Sequence, residues 1–192
     1  MAMCAAAQAQ DVSQADKDRA LGYLEKTKAG VIEATKGLSD AQWNFKPSPD
    51  RWSIAEVMEH IALAEDMIRG LIETQVMKSP AIAPRDAAEV RKIDDGVMAK
   101  VPDRSHKIQA PEQLKPTNHF GTPEQAEQHF IDSRSTTESF LKDTAGLRAH
   151  AMMDPTGTQM DAFEWVLLIA GHSERHTKQI LEVKSDPKFP KS

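Results

Sequence analysis

Hydrophobic residues recur at helical spacing in four long stretches of this chain. The stretches cover residues 14–35, 53–77, 122–146 and 161–184. A capping box at Ser53–Glu56 and a proline-containing cap at Thr122–Gln125 predict sharp starts for the second and third helices. Gly37 and Pro187 follow the first and last stretches, at positions where helices end. The pattern predicts an all-α fold, most simply a four-helix bundle.

Two segments between these helices break the pattern. Leu38–Trp52 contains two prolines beside two tryptophans and a phenylalanine, so we expect an ordered loop that packs against the bundle. The connection between helices two and three, residues 78–121, is long and irregular and contains five prolines. A short helix is expected over 86–100, and a connection this long is expected to line or cover a site. We expect no strands, because no segment alternates between apolar and polar residues.

The length of 192 residues fits one domain, assigned to 14–184, with tails at 1–13 and 185–192. The N-terminal segment is small and apolar, and Ala7–Ala9 has the A-x-A form of a signal-peptidase site. Two interpretations stay open: a disordered tail on a cytoplasmic protein, or the end of an export signal on a periplasmic or otherwise exported one.

Composition removes several classes of function. Acidic residues outnumber basic ones, 29 to 24, and only 5% of residues are aromatic, so nucleic-acid binding is not expected. No apolar run approaches the ~20 residues that cross a bilayer, which argues against an integral membrane protein. Cys4 is the single cysteine, which excludes a disulfide framework or a Cys-rich zinc site. Any metal would be held by nitrogen and oxygen.

Three of the seven histidines are candidate metal ligands. His172 and His176 are four residues apart, so their rings share one helix face. His60 lies in the middle of the second helix, beside its apolar face, and three such rings can converge in a bundle interior. The chain has no H-E-x-x-H and no Glu-x-x-His pair, which leaves a mononuclear three-histidine site with open coordination positions. The alternative is that these are separate histidines at the edge of the core, bonded to carbonyl groups.

The remaining polar candidates carry weaker signals. We expect the histidines in polar, irregular segments to be solvated, namely His106, His119 and His150. His129, on the third helix, is expected anywhere from exposed to partly buried. Glu56 could support His60 as a hydrogen-bond acceptor, but its capping role is the simpler interpretation. Three other side chains could approach the site, namely Gln179, Arg175 and Glu65. Glu174 falls on the opposite side of its helix from His172, so it is not expected to act as a base there.

The same residues resemble those of DinB-like (YfiT-like) proteins. Trp52–Glu65 is similar to the family's W-S-x-x-E-x-x-x-H start of the second helix, and Ile169–Ile180 to its H-x-x-x-H-x-x-Q-I pattern in the last helix. The resemblance spans residues 14–184 and implies an up-down-down-up bundle, often a homodimer. It also implies a divalent metal bound by His60, His172 and His176. Nickel and zinc are the typical ions, and manganese and iron are further options.

The resemblance leaves two classes of function open. The first is a metal-dependent enzyme, with a narrow preference for a thiol S-transferase that uses a low-molecular-weight thiol to detoxify small electrophiles during stress. A hydrolase is the alternative, and an export signal would favour it, because such thiol pools are cytoplasmic. The second class is a non-catalytic metal- or ligand-binding module in which His119 or His129 completes a closed site.

Overall fold

The computed structural model describes residues 11–191, which form six α-helices and one β-hairpin. The helices are α1 (Gln14–Thr35), α2 (Asp40–Trp43), α3 (Ile54–Thr74), α4 (Ala87–Lys100), α5 (Pro123–Asp143) and α6 (Ala162–Lys184), and the strands are β1 (Ala151–Met153) and β2 (Gln159–Asp161). Single 3₁₀ turns lie at Val76–Lys78 and Glu112–Leu114. The four long helices are those predicted from the sequence, and α4 is the expected short helix.

The starts of the long helices are fixed by local hydrogen bonds. In α3 the Ser53 hydroxyl accepts from the Glu56 N–H at 3.2 Å, and the Glu56 carboxylate accepts from the Ser53 N–H at 2.7 Å. Thr122 with Gln125 and Asp161 with Glu164 form the same reciprocal box at α5 and α6. Each box satisfies backbone donors that the first turn leaves free, which confirms the two predicted caps.

Side-chain contacts along the helices fix their directions. The start of α1 contacts the end of α5, whereas α1 and α6 make contacts in the same order along the chain, as do α3 and α5. The contacts of α1 with the two ends of α5 are Lys17–Thr144 and Thr35–Glu127. The contacts of α1 with α6 are Tyr23–Glu174 and Ala34–Lys184. The contacts of α3 with α5 and with the residues just before it are Glu59–Asn118 and Asp66–Ser133. The order is up-down-down-up. Because α3 and α5 are parallel neighbours, the chain must return along the bundle between them, and residues 75–122 form this long connection.

A buried ion pair occupies the centre of the bundle. The side chains of Arg134 and Glu65 are 0% and 1% exposed, and the guanidinium donates to both carboxylate oxygens, at 2.9 and 2.8 Å. Arg134 also donates to the Leu24 carbonyl, the Thr27 hydroxyl and the Ser173 hydroxyl. One side chain on α5 thereby contacts α1, α3 and α6. Apolar clusters fill the bundle toward its two ends.

The β-hairpin corrects the expectation of no strands. Its two strands pair antiparallel, with Ala151 opposite Asp161 and Met153 opposite Gln159. The tight turn is stabilised by Asp154, which accepts from the N–H groups of Thr156 and Thr158. Each strand has only three residues, which is too short for an alternating pattern to show in the sequence.

The predicted loop packs against the bundle, and residues of both assigned tails pack there too. Trp43 is buried at the end of the one-turn helix α2, which confirms an ordered loop against the bundle. Val12 of the assigned N-terminal tail is buried, and Phe189 of the C-terminal tail packs edge-on against Phe45 with ring centroids 5.6 Å apart. The Ala7–Ala9 motif lies outside the described residues. None of the described helices is long and apolar enough to cross a membrane.

Candidate metal centre

The three predicted histidines meet between α3 and α6. His60 lies on α3, and His172 and His176 lie on successive turns of α6. The Nε2 atom of His60 is 3.2 Å from the Nε2 atom of His172 and 3.2 Å from that of His176. Their potential ligand atoms all lie within 4.8 Å of one another, in the one group of this kind within residues 11–191.

The tautomer of His60 is set by the long connection. The Nδ1 atom of His60 is 2.8 Å from the Leu114 carbonyl oxygen. Because a carbonyl oxygen can only accept, Nδ1 must carry the proton, which leaves Nε2 with a free lone pair. The ring is 3% exposed and lies against Trp52, with ring centroids 4.9 Å apart.

His176 has the same tautomer, set by a neighbour on its own helix. Its Nδ1 atom is 2.8 Å from the side-chain oxygen of Gln179, so it donates to the amide and leaves its Nε2 atom unprotonated. The lone pairs of His60 and His176 consequently face each other across 3.2 Å. This arrangement is unfavourable unless a cation or a shared proton lies between the two nitrogens.

Burial keeps these imidazoles neutral. Burial, and to a lesser extent the neighbouring His60, lowers the pKa of His176 to about 3. Burial also holds the pKa of His172 well below 6.5, and the nearby His176 and His60 lower it further. The pKa of His60 is lowered by burial, against the opposing effect of its bond to Leu114. Neutral imidazole is the form that binds metals.

The spacing fits a small divalent ion. Nitrogens that each lie about 2.0–2.1 Å from a tetrahedral zinc ion are roughly 3.3–3.4 Å apart, and the two separations from the Nε2 atom of His60 are 3.2 Å each. All donors are imidazole nitrogens, which suit zinc, nickel, copper and iron better than magnesium or calcium. The three residues therefore fit the metal implied by the resemblance, and no carboxylate belongs to the group within the described chain.

The long connection lies directly against the α6 side of the site. Val101 packs on Gly171, where an added Cβ would lie 3.0 Å from the valine Cβ. Arg175 donates to the carbonyl oxygens of Asp103 and His106. With the Leu114 carbonyl hydrogen-bonded to His60, these contacts place the connection against the group of three histidines.

The other histidines lie elsewhere. His106 and His119 are exposed, as expected. His129 is half-buried and donates through Nε2 to Asp66 at 2.6 Å, so this nitrogen has a partner outside the group. The expectation that His150 is solvated is wrong, because the residue is half-buried and its Nδ1 donates to the Ser79 carbonyl at 2.7 Å. Pairing with Ala81 beside the hairpin explains its burial.

The candidate carboxylates are committed to other contacts. Glu56 closes its capping box and accepts from Lys46 at 2.7 Å, so the capping interpretation is confirmed. Glu65 pairs with Arg134 in the bundle centre, and Glu174 accepts from Tyr23 at 2.9 Å. No sequence pattern indicates the contact of the Leu114 carbonyl with His60, because a backbone atom supplies it. Trp52 belongs to the W-S-x-x-E-x-x-x-H motif, but the motif does not indicate that its ring lies beside His60.

Comparisons with known proteins agree with this fold. The uncharacterized protein YuaE of Bacillus subtilis (strain 168) is 26% identical over 153 residues, covering 78% of this chain and 87% of YuaE. The solved structure of YfiT from Bacillus subtilis, described as "a probable metal-dependent hydrolase with an unusual four-helix bundle topology", superposes with a TM-score of 0.56. The match is 17% identical and covers 90% of this chain and 88% of YfiT. A family model, described as the DinB superfamily, matches residues 23–180. Since that match runs from α1 to α6, the chain belongs to the DinB superfamily.

Proposed function

We propose that this protein is an enzyme that depends on one divalent metal ion held by His60, His172 and His176. The observation that carries the proposal is the approach of two unprotonated Nε2 atoms, on His60 and His176, to 3.2 Å. Each proton is placed on Nδ1 by an oxygen that can only accept. A buried cation explains why the protein holds the two lone pairs together.

The residues around the site favour a reactive ion over a closed structural one. When bound, a divalent ion acts as a Lewis acid and lowers the pKa of water or of a thiol. The histidines supply three neutral ligands, so the chain does not offset the charge of the ion. The two candidates for a fourth protein ligand, His119 and His129, are exposed or bonded to Asp66. Zinc and nickel are the first candidates for the ion.

Hydrolysis of a small-molecule substrate is the first candidate reaction. It is supported by the likeness of the fold to YfiT, which is described as a probable metal-dependent hydrolase. Thiol S-transfer to a small electrophile is the second candidate. It is supported by the resemblance to the DinB-like family, whose characterised members include thiol S-transferases. A homodimer stays a prediction from the same resemblance.

The first experiment measures metal in protein purified without a nickel column. We expect about one ion per chain in the wild type and in His106→Ala, an exposed control. We expect loss of the ion in His60→Ala and in His172→Ala/His176→Ala while helical content is retained. Wild-type protein that stays metal-free after incubation with zinc, nickel or manganese would contradict the proposal.

The loaded protein then distinguishes the reactions. Hydrolysis predicts turnover of ester or amide substrates without added thiol. Transfer predicts consumption of an electrophile only when a low-molecular-weight thiol is present. Metal binding without turnover in either assay would favour the non-catalytic binding module.

A further inference from the structure

Gln179 lies one turn beyond His176 on α6 and contacts the ring atom that faces away from the site. Its side-chain oxygen accepts from His176 Nδ1 at 2.8 Å. Residues three apart on a helix share a face, so the amide reaches the ring without distorting the backbone. Gln179 is half-buried, which limits competition from water for the imidazole N–H.

A residue of the long connection fixes the orientation of this amide. Arg104 Nη1 points at the same Gln179 oxygen from 3.4 Å. Because a guanidinium has only donors, Arg104 favours the orientation of the Gln179 amide in which the oxygen, and not the nitrogen, faces His176. Arg104 is itself held by Glu182, whose two oxygens accept from its Nε and Nη2 atoms at 2.7 Å each. A chain of contacts thus runs from Glu182 through Arg104 and Gln179 to His176.

We propose that Gln179 is a positioning residue that holds His176 in the tautomer with its Nε2 lone pair turned toward His60. The inference rests on the proposed metal function, in which that lone pair binds the ion. Without the amide oxygen, the ring can carry its proton on Nε2, where it would donate to His60 across 3.2 Å. A metal can bind the Nε2 atom only after the ring has moved its proton back to Nδ1, so loss of the amide oxygen weakens metal affinity.

Two substitutions separate the hydrogen bond from simple packing. Gln179→Met keeps the length of the side chain and good helix propensity but has only a weak acceptor. Gln179→Glu keeps an oxygen acceptor and gains a favourable charge partner in Arg104. The matched control is Gln159→Met, because Gln159 is exposed and lies on β2, outside the helix that carries His172 and His176. Circular dichroism and thermal unfolding verify that all variants fold.

The first readout needs no metal. Nitrogen-15 NMR of the histidine rings in metal-free protein near neutral pH reports which nitrogen carries each proton. We expect wild type, Gln179→Glu and Gln159→Met to show His176 protonated at Nδ1. We expect Gln179→Met to show a population protonated at Nε2. An unchanged His176 tautomer in Gln179→Met would overturn the proposal.

The second readout is zinc affinity, measured by competition with a chromophoric chelator. Loss of a hydrogen-bond partner of a metal-binding histidine weakens affinity by about 10- to 100-fold, and we expect this loss in Gln179→Met. Gln179→Glu should bind at least as tightly as wild type. Wild type that binds zinc, with Gln179→Met binding equally well, would overturn the role of Gln179 alone. Wild type that binds no zinc would overturn the metal site as well.

Discussion

Replacing Arg134 by methionine tests how strongly the buried ion pair stabilises the bundle. The substitution leaves the Glu65 carboxylate in a site where its side chain is 1% exposed, with Thr137 as its remaining donor, at 2.8 Å. Breaking a buried pair by removing one partner costs about 3–5 kcal/mol. For a domain of this size that loss lowers the melting temperature by roughly 6–20 °C.

The double variant Arg134→Met/Glu65→Met removes both charges and should recover most of that loss. Replacing a whole buried ion pair by apolar residues is often neutral or stabilising. The three hydroxyl groups around the pair keep partners, since Thr27, Thr137 and Ser173 also donate to carbonyls of their own helices. Urea unfolding followed by circular dichroism measures both variants.

An exposed ion pair provides the control for this prediction. The Arg91 side chain is 52% exposed beside Asp16, so Arg91→Met should change stability by less than about 1 kcal/mol. Arg134→Met that is no more destabilising than Arg91→Met would contradict this role of the buried pair. A double variant that is no more stable than Arg134→Met would contradict it as well.

Three further predictions concern the surroundings of the site. Gly171→Ala places a Cβ 3.0 Å from the Cβ and 3.1 Å from the Cγ1 of Val101, so it should lower the free energy of unfolding in urea by about 1–3 kcal/mol. A second change of Val101→Gly, which removes both of these atoms, should restore part of that loss. The three site histidines have pKa values below 6.5 in the folded protein, so the unfolded chain binds more protons as the pH falls. Metal-free protein should therefore lose stability below about pH 6.5, by up to roughly 1.4 kcal/mol per pH unit for each histidine, and His176→Phe should show a smaller slope. Ser53→Ala should lower the free energy of unfolding by about 1 kcal/mol, because it removes the α3 cap, and it should leave zinc affinity unchanged. Weaker zinc binding in Glu56→Gln would instead indicate that Glu56 supports His60.

The bundle could be predicted because its signals are local. The caps at Ser53 and Thr122 depend on residues three positions away, and the apolar period depends on neighbours within two turns. His172 and His176 were paired for the same reason, since four residues on a helix bring two rings to one face. The sequence does not indicate which helices are neighbours, so the place of His60 in the group follows from the family resemblance.

The contacts that orient the site were harder to predict because they join distant parts of the chain. Arg134 carries no sequence signal of its own. Glu65 is one of three side chains that could approach the histidines, and the sequence does not indicate that it pairs with Arg134 instead. The Leu114 carbonyl comes from an irregular segment, where backbone direction depends on tertiary packing. Arg104 reaches Gln179 across 75 positions of sequence. Such contacts arise only after the long connection has packed on α6.

Three consecutive residues of α6 explain how the ligands are held before any metal arrives. Each residue of a helix is turned by about 100° from the one before it, so Gly171, His172 and Ser173 face different partners. Gly171 meets Val101 of the long connection, His172 meets His60, and Ser173 accepts from Arg134. Rotating α6 to move His172 would drive Gly171 into the connection or break the contact with the buried arginine. The rotation of α6 is thus fixed from both sides of His172, so the proposed metal ion would bind with little rearrangement of the bundle.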